Sequence, residues 1–165
     1  MALYIRAAVP GDAEAVARLH GEFAAYLREL GDTTDIRFDA AAFRRDGFAP
    51  DAAFAALVAE TDSEIAGYLF YHFAYDSDRA MRRLYVVDLY VAPRFRRRGA
   101  GAALMAAAAD ACRRGGAEEM FWAVYNANRS AFAFYEGLGA SYTTDLTFMS
   151  MPVSRQLRQT PSQSE

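Results

Sequence analysis

The residues best suited to chemistry are the arginines and glycines of "RFRRRGAG" (residues 94–101), which holds four arginines and two glycines. The segment follows an apolar run and precedes an alanine-rich stretch, so it predicts the turn from a strand into a helix. The start of a helix presents unpaired backbone N–H groups and a partial positive charge, which favour an anion. Gly99 and Gly101 let the backbone approach that anion closely, and the arginines at 96–98 add charge. The pattern therefore predicts a loop that binds a phosphate-rich ligand.

Other uses of this segment fit the sequence less well. The chain has 165 residues and a formal net charge of −3, which disfavours a module for non-specific nucleic-acid binding. It has no lysine for a Walker loop and no third glycine for a dinucleotide fingerprint. A solvated arginine run at a glycine-rich helix start stays open as the alternative.

The elements around this loop follow an order that indicates the fold class. Hydrophobic periodicity predicts a strand, a helix, a short helix, three strands, a helix, a strand at 119–125, a helix and final strand material at 141–153. This order predicts a mixed α/β (α+β) single domain spanning residues 1–153. The polar tail at 154–165 is predicted to be disordered.

Composition limits the remaining classes of function. Cys112 is the only cysteine, which excludes an intrachain disulfide and a thiolate metal cluster, and no metal-ligand pattern is present. The first residues lack the apolar run of a signal peptide, and no window reaches the length of a membrane span. We therefore expect a cytoplasmic protein without membrane or nucleic-acid partners.

Two motifs together resemble a known family. Arg96-x-x-Gly99-x-Gly101 resembles the acetyl-CoA pyrophosphate loop of the GNAT N-acetyltransferases. "NANRSAFAFYEGLGA" (126–140) resembles that family's other CoA-side motif, with matches at Asn128, Ala131, Phe134, Tyr135, Gly139 and Ala140. The resemblance covers about residues 3–151 and is nearest to the diamine (spermidine/spermine-type) branch. It implies a mixed, mostly antiparallel sheet of about six to seven strands with about four helices, whose splayed central strands form the CoA slot.

The resemblance also implies a set of residues that bind acetyl-CoA. Backbone N–H groups of 97–102 bind the pyrophosphate, the main chain at Leu89 and Val91 pairs with the pantetheine arm, and Asn128 contacts that arm from the other side. An N–H group near Leu89 or Tyr90 polarises the thioester carbonyl. The full set is Leu89, Tyr90, Val91, Arg96, Arg97, Arg98, Gly99, Ala100, Gly101, Ala102, Asn128, Ala131 and Tyr135.

Two positions are implied to do the chemistry. Tyr135 matches the family's general acid for the leaving thiolate, since a phenol of pKa about 10 donates to a thiolate of pKa about 8.5 with only a mild penalty. The diamine branch has a Glu-Asp pair where this chain has Val87-Asp88. Three roles are open for Asp88: the base, the anchor of a cationic substrate, or a structural partner of Arg82 or Arg83.

The acceptor side carries fewer signals. Tyr26, Asp76 and Asp88 are the candidate substrate-binding residues, whereas Leu27 stands where the diamine branch has an acidic residue. We expect acetyl transfer from acetyl-CoA to a primary amine of a small molecule, polyamine-like or amino-acid-like, by a homodimer. A non-catalytic acyl-CoA-binding module and a peptide or protein N-acetyltransferase are the alternatives.

Overall fold

The computed structural model describes residues 2–62, 64–143 and 147–150. Its strands are β1 Leu3–Ala7, β2 Ala55–Thr61, β3 Ile65–Asp76, β4 Met81–Val91 and β5 Ala117–Phe121. Its α-helices are α1 Ala13–Glu29, α2 Ala40–Phe48, α3 Ala100–Arg114 and α4 Arg129–Gly137. Single 3₁₀ turns at Pro10–Asp12 and Pro93–Phe95 lead towards α1 and α3. Within these residues no helix is both long and apolar enough to cross a membrane.

The strands form one sheet in the order β1-β2-β3-β4-β5, antiparallel except for the parallel pair β4 and β5. The mixed, mostly antiparallel sheet with four helices is as predicted, but the described residues form five strands rather than six or seven. The difference lies at the C-terminus. Residues 141–143 and 147–150 are not in a strand, while 144–146, 151–153 and the predicted tail at 154–165 lie outside the described residues.

The sheet has an apolar core on each face. On one face, Val16 and Leu19 of α1 and Phe43 of α2 are fully buried against Tyr68 and its neighbours on β3. The other face is covered by α3, whose small residues let the helix lie close to the sheet. Packing against these two faces sets the positions of α1 and α3 relative to β4.

The strands β4 and β5 separate part of the way along β4. Their parallel pairing runs from Arg82↔Ala117 to Tyr85↔Phe121 and then ends. The strand predicted over 119–125 ends at Phe121, and residues 122–125 leave the sheet on the way to α4. The second half of β4 therefore has an edge without a β5 neighbour, and a cleft opens there.

An extra residue in β4 changes which side chains face that cleft. Asp88 pairs with Phe70 and Val86 pairs with Tyr71, so Val87 is the additional residue of a β-bulge. Before the bulge, even-numbered Leu84 and Val86 pack on the α3 face. After the bulge, even-numbered Tyr90 and Ala92 pack on the α1 face. The bulge therefore turns Asp88 towards α1.

Candidate active site

The opening between β4 and β5 is a cleft of about 550 Å³. Its walls come from α1, the segment after α1, the bulged part of β4, residues 122–125 and α4. Most of the lining is apolar, and the polar side chains in it are His20, Asp32, Thr34, Asp88, Tyr125, Asn128 and Tyr135. The sequence analysis selected three of these, Asp88, Asn128 and Tyr135, and the fold brings them to one cavity.

Asp88 faces this cleft without a cationic partner among the residues that the structure describes. Arg83, a predicted partner, is ion-paired with Glu119 and Asp76 instead, and Arg82 donates to the Gly115 carbonyl. Among the described residues, the nearest basic group to the Asp88 carboxylate is His20, whose Nδ1 lies 3.9 Å from Oδ2. Burial among apolar walls raises the pKa of Asp88 to about 6. A buried carboxylate with a raised pKa is stabilised most by a ligand that carries a positive charge.

His20 is the polar group that the sequence analysis missed. It lies on α1 between fully buried Leu19 and partly buried Phe23, and its Nδ1 is 2.9 Å from the hydroxyl of Tyr68. Burial lowers the pKa of His20 and raises the pKa of Tyr68, so the imidazole is neutral at pH 7. A histidine on the apolar face of an amphipathic helix is the sequence signal that could have identified it.

Tyr135 reaches the cleft from α4. Its ring packs on Trp122 with the centroids 4.7 Å apart. Burial, with the nearby charge of Asp88 as a second cause, raises the pKa of Tyr135 to about 12. The phenol therefore stays protonated through the physiological range, as a proton donor must, although its proton is harder to release than that of a free tyrosine.

Asn128 fixes the start of α4 and ties it to α1. Its Oδ1 caps the helix by accepting from the Ala131 N–H at 3.1 Å. The same oxygen accepts from the Tyr26 hydroxyl at 2.9 Å and the Ser130 hydroxyl at 3.0 Å. Asn128 and Ala131 line the cleft, whereas Tyr26 acts here by holding Asn128.

The arginine–glycine loop lies beside the cleft and has free donors. Arg97 and Gly99 have positive φ angles of 62° and 84°, which turn the chain sharply into α3. The first bond of the helix runs from the Ala103 N–H to the Gly99 carbonyl. In the described part of the chain, no hydrogen bond is made by the N–H groups of residues 97–102. The loop thus presents consecutive donors at a helix start, where the helix dipole favours an anion.

The open edge of β4 connects this loop with Asp88. The Ala92 N–H bonds to Ala66 on the β3 side, so the main-chain groups of Val91 and Leu89 point to the opposite, open edge. The Val91 carbonyl accepts a 2.8 Å bond from Nε of Arg96. The guanidinium carbon of Arg96 lies 5.6 Å from the ring centre of Tyr26 and 5.5 Å from that of Tyr90. Tyr90 alternates with Leu89 and Val91, so its main-chain groups face β3 opposite Tyr68, and its ring is buried.

Asp76 does not join the others. It ends β3 at the hairpin opposite Met81 and pairs with Arg83. Asp88 lies seven positions after Met81 along β4, roughly 23 Å at the rise of a strand. Leu27 and Val87 line the cleft as apolar groups, so the acidic character of the cavity comes from Asp88 and Asp32.

Known proteins resemble this chain in sequence and in fold. The Acetyltransferase (GNAT) family model matches residues 16–140. A thialysine N-epsilon-acetyltransferase of Bos taurus is 32% identical over 149 residues, covering 86% of this chain and 85% of that protein. The uncharacterized N-acetyltransferase YhfO of Bacillus subtilis is 31% identical over 146 residues, covering 88% and 93%. An integron cassette protein from the mobile metagenome of V. cholerae shares the fold, with a TM-score of 0.76, 20% identity and coverage of 92% and 93%. The resemblance is confirmed, and the chain belongs to the GNAT acetyltransferase family.

Proposed function

We propose that this protein transfers an acetyl group from acetyl-CoA to a primary amine of a small molecule. The observation that carries the proposal is the open edge of β4, which runs from the unpaired carboxylate of Asp88 to the N–H groups of the arginine–glycine loop. Family membership and the acetyltransferase relatives support the same reaction.

The residues present fit acetyl-CoA. The free N–H groups of 97–102 and the arginines beside them suit a pyrophosphate. The main chain of Leu89 and the N–H group of Val91 suit an extended arm that carries amide groups, since they face the open edge of β4, whereas the Val91 carbonyl already accepts from Arg96. Gly101 has no Cβ, and one placed there would lie 3.2 Å from the Phe134 ring. The loop therefore meets α4 at a distance that only glycine allows without a shift.

The chain's own groups supply the rest of the chemistry. When bound, acetyl-CoA supplies the thioester carbonyl that the amine attacks. Asp88 binds the ammonium form of the substrate, and the N–H group of Leu89, which faces the open edge of β4, stabilises the negative charge that develops on the carbonyl oxygen. Tyr135 donates its phenolic proton to the sulfur as it leaves.

The cleft favours a small amine with apolar character next to its cationic end. Asp88 is the carboxylate at the β4 bulge, and Leu27 and Val87 remove two acidic positions of the diamine branch. A long polyamine needs several carboxylates along its length, and this cavity offers one more, Asp32. The thialysine acetyltransferases among the relatives make amino-acid side-chain amines a natural first test.

The cellular location and the oligomeric state of the protein remain predictions. We propose a cytoplasmic homodimer. Among the described residues the outer edge of β5 has no partner strand, and such an edge offers backbone hydrogen bonds to a second chain. Sedimentation-velocity measurements over a range of concentrations test this: a single species with the mass of one chain would exclude the dimer.

The test of the function is release of free CoA from acetyl-CoA in the presence of a panel of amines. The panel holds thialysine, lysine, spermidine, putrescine, an aminoglycoside, an aralkylamine and a lysine-containing peptide. We expect turnover with a small primary amine and its loss in Tyr135→Phe. Binding of CoA with no turnover on any amine would favour the non-catalytic acyl-CoA-binding module, and turnover on the peptide alone would favour a protein acetyltransferase.

A further inference from the structure

The wall of the cleft contains a short chain of polar groups that the reaction described so far does not use. Tyr68 of β3, His20 of α1 and Asp88 of β4 follow one another at 2.9 Å and 3.9 Å, both distances measured from Nδ1 of His20. Tyr68 is fully buried, whereas the side chains of His20 and Asp88 retain 13% and 25% of their exposure and line the cavity. The imidazole is therefore the member of the chain that can reach both the protein interior and a bound ligand.

Tyr68 and two phenylalanines hold the imidazole of His20 in its orientation. The Tyr68 hydroxyl is hydrogen-bonded to Nδ1 at 2.9 Å, and the base role requires the tautomer in which the hydroxyl donates and the ring hydrogen lies on Nε2. The ring of Phe38 packs against the imidazole with the centroids 4.5 Å apart, and Phe23 meets it edge-on at 6.2 Å. The hydrogen bond and the two aromatic contacts together fix the orientation of the ring.

We propose that His20 is a further catalytic residue of this acetyl transfer, the base that removes the proton from the substrate ammonium held at Asp88. The proposal rests on the acetyltransferase function proposed above. The separation of 3.9 Å between Oδ2 and Nδ1 is too long for a direct hydrogen bond. It leaves room for an ammonium nitrogen that lies about 3 Å from each atom. One ligand nitrogen thus contacts the anchor and the base together.

The proton transfer balances with the groups named. When the ammonium binds, its N–H group replaces the Tyr68 hydroxyl as the donor to the Nδ1 lone pair. An N–H bond of the ammonium then breaks and an N–H bond forms at Nδ1 of His20, while the electron pair stays on the amine nitrogen. Tyr68 changes from donor to acceptor, since a hydroxyl can do either. The amine then forms its bond to the thioester carbon, the C–S bond breaks, and the thiolate takes the proton of Tyr135. The second amine proton returns Tyr135 to its phenol form, and the proton on His20 goes to solvent.

The surroundings of His20 suit this role. The titratable groups that face it or share its cavity are Tyr68 of β3, Asp88 of β4, Tyr135 of α4, and Asp32 and Tyr125 of the two connecting segments. No arginine lines the cavity within the described part of the chain. Burial lowers the pKa of His20, which keeps its lone pair available. The imidazolium formed in the reaction has the Asp88 carboxylate beside it, which stabilises its charge.

The experiment compares wild-type protein with His20→Ala and His20→Gln in steady-state kinetics on the best amine of the panel. Both variants should lower kcat by about 100-fold, the lower end of what general-base catalysis supplies. The KM for acetyl-CoA should change by less than threefold, because His20 is not placed at the CoA contacts. Added imidazole should restore at least a tenth of the lost rate in His20→Ala, with more basic methylimidazoles restoring more.

The chain supplies its own matched control, because it contains two histidines. His72 lies on β3 beside Tyr85, with ring centroids 5.3 Å apart, and does not line the cleft. His72→Ala should keep the wild-type rate and show no response to imidazole. His20→Gln keeps an oxygen that accepts from Tyr68, so it serves where His20→Ala fails to fold.

Each outcome of these measurements either supports or overturns the base role of His20. Loss of kcat in both variants with imidazole rescue of His20→Ala supports the base role. Wild-type rates in either variant overturn it, as does a loss without rescue in a folded His20→Ala protein that binds CoA normally, because that pattern indicates a structural histidine. If the wild-type protein acetylates an amine in those cases, the proposed acetyltransferase function still holds. Absence of turnover by wild type on every amine overturns both proposals.

Discussion

The Tyr26 hydroxyl donates a 2.9 Å hydrogen bond to Oδ1 of Asn128 and so joins α1 to the first turn of α4. Asn128 also caps α4 through the Ala131 N–H. One amide oxygen therefore fixes both the start of the helix that carries Tyr135 and its distance from α1. Side chains far apart in the sequence set the width of the cleft in this way.

Replacing Tyr26 by phenylalanine removes this bond but keeps the ring. We expect the free energy of unfolding to fall by about 0.5–1.5 kcal/mol, the usual net value of such a bond. The KM for acetyl-CoA should also rise by a few-fold because α4 is less firmly held. Urea denaturation and initial-rate kinetics measure the two effects. Tyr4→Phe, on an exposed tyrosine of β1, should change neither value, and an unchanged KM in Tyr26→Phe would show that the link does not act on the CoA side.

Removing the phenol of Tyr135 should slow the chemical step. Tyr135→Phe keeps the packing on Trp122, so we expect the fold and the KM values to change little while kcat falls by about 10²-fold. Because the pKa of Tyr135 is raised to about 12, the wild-type rate should not decline between pH 8 and 10 through ionisation of this group. Tyr75→Phe at the exposed hairpin is the control. A decline of wild-type kcat in that pH range that disappears in Tyr135→Phe would contradict the raised pKa.

Asp88→Asn should lower activity and raise stability at the same pH. The folded-state pKa of about 6 exceeds the ordinary value of 3.8, so the charged carboxylate opposes folding at neutral pH. That penalty, on the order of 2–3 kcal/mol, is complete above pH 6, shrinks between pH 6 and 4, and is absent below pH 4. The variant should therefore be more stable than wild type at pH 7.5 and equally stable near pH 4, as measured by denaturation at several pH values.

The same change should cost at least 10²-fold in kcat/KM for the amine, since the anchor of its charge is lost. In wild type, kcat/KM should fall as the pH drops below about 6, because the protonated acid no longer binds an ammonium. Asp78→Asn, on the exposed β3–β4 turn, is the matched control for both measurements. Equal stability of Asp88→Asn and wild type at pH 7.5 would show that the carboxylate has a cationic partner in the folded protein.

Adding one methyl group to the loop should weaken binding of CoA. A Cβ at Gly101 would lie 3.2 Å and 3.3 Å from two atoms of the Phe134 ring, so in Gly101→Ala the Phe134 ring of α4 must move by a few tenths of an ångström. We expect the Kd for CoA, measured by titration calorimetry, to rise about tenfold, with a loss of about 1 kcal/mol in stability from overpacking.

A second glycine separates this effect from the general effect of alanine in a helix. Gly21 lies on an exposed part of α1 with nothing within 4 Å of an added Cβ. Gly21→Ala should stabilise the protein by about 0.5–1 kcal/mol and leave CoA binding unchanged. Tight CoA binding in Gly101→Ala would show that the close approach of α3 and α4 is not needed by the loop.

Much of this architecture can be predicted from local sequence patterns. The apolar periods of α1 and the alanine-rich α3 predict helices, and the strand-to-helix turn at 96–101 is marked by Gly99, whose φ of 84° few other residues adopt. The order of elements from β4 to α4 followed from the same local signals. Local signals also placed Tyr135 and Asn128 on one short helix, because both belong to a single continuous motif.

What the sequence by itself determined about this protein is its family, its element order and the loop that suits a phosphate-rich ligand, since each depends on residues close together in the chain. Only the tertiary structure decided which carboxylate matters and what faces it. The bulge at Val87 reverses the alternation of β4, so Asp88 turns to α1 rather than α3, and strict two-residue periodicity gives the wrong face. The partner that it meets there, His20, comes from a helix that packs across the sheet. Such a contact depends on how the sheet and helices pack together, and no local pattern in the sequence specifies it.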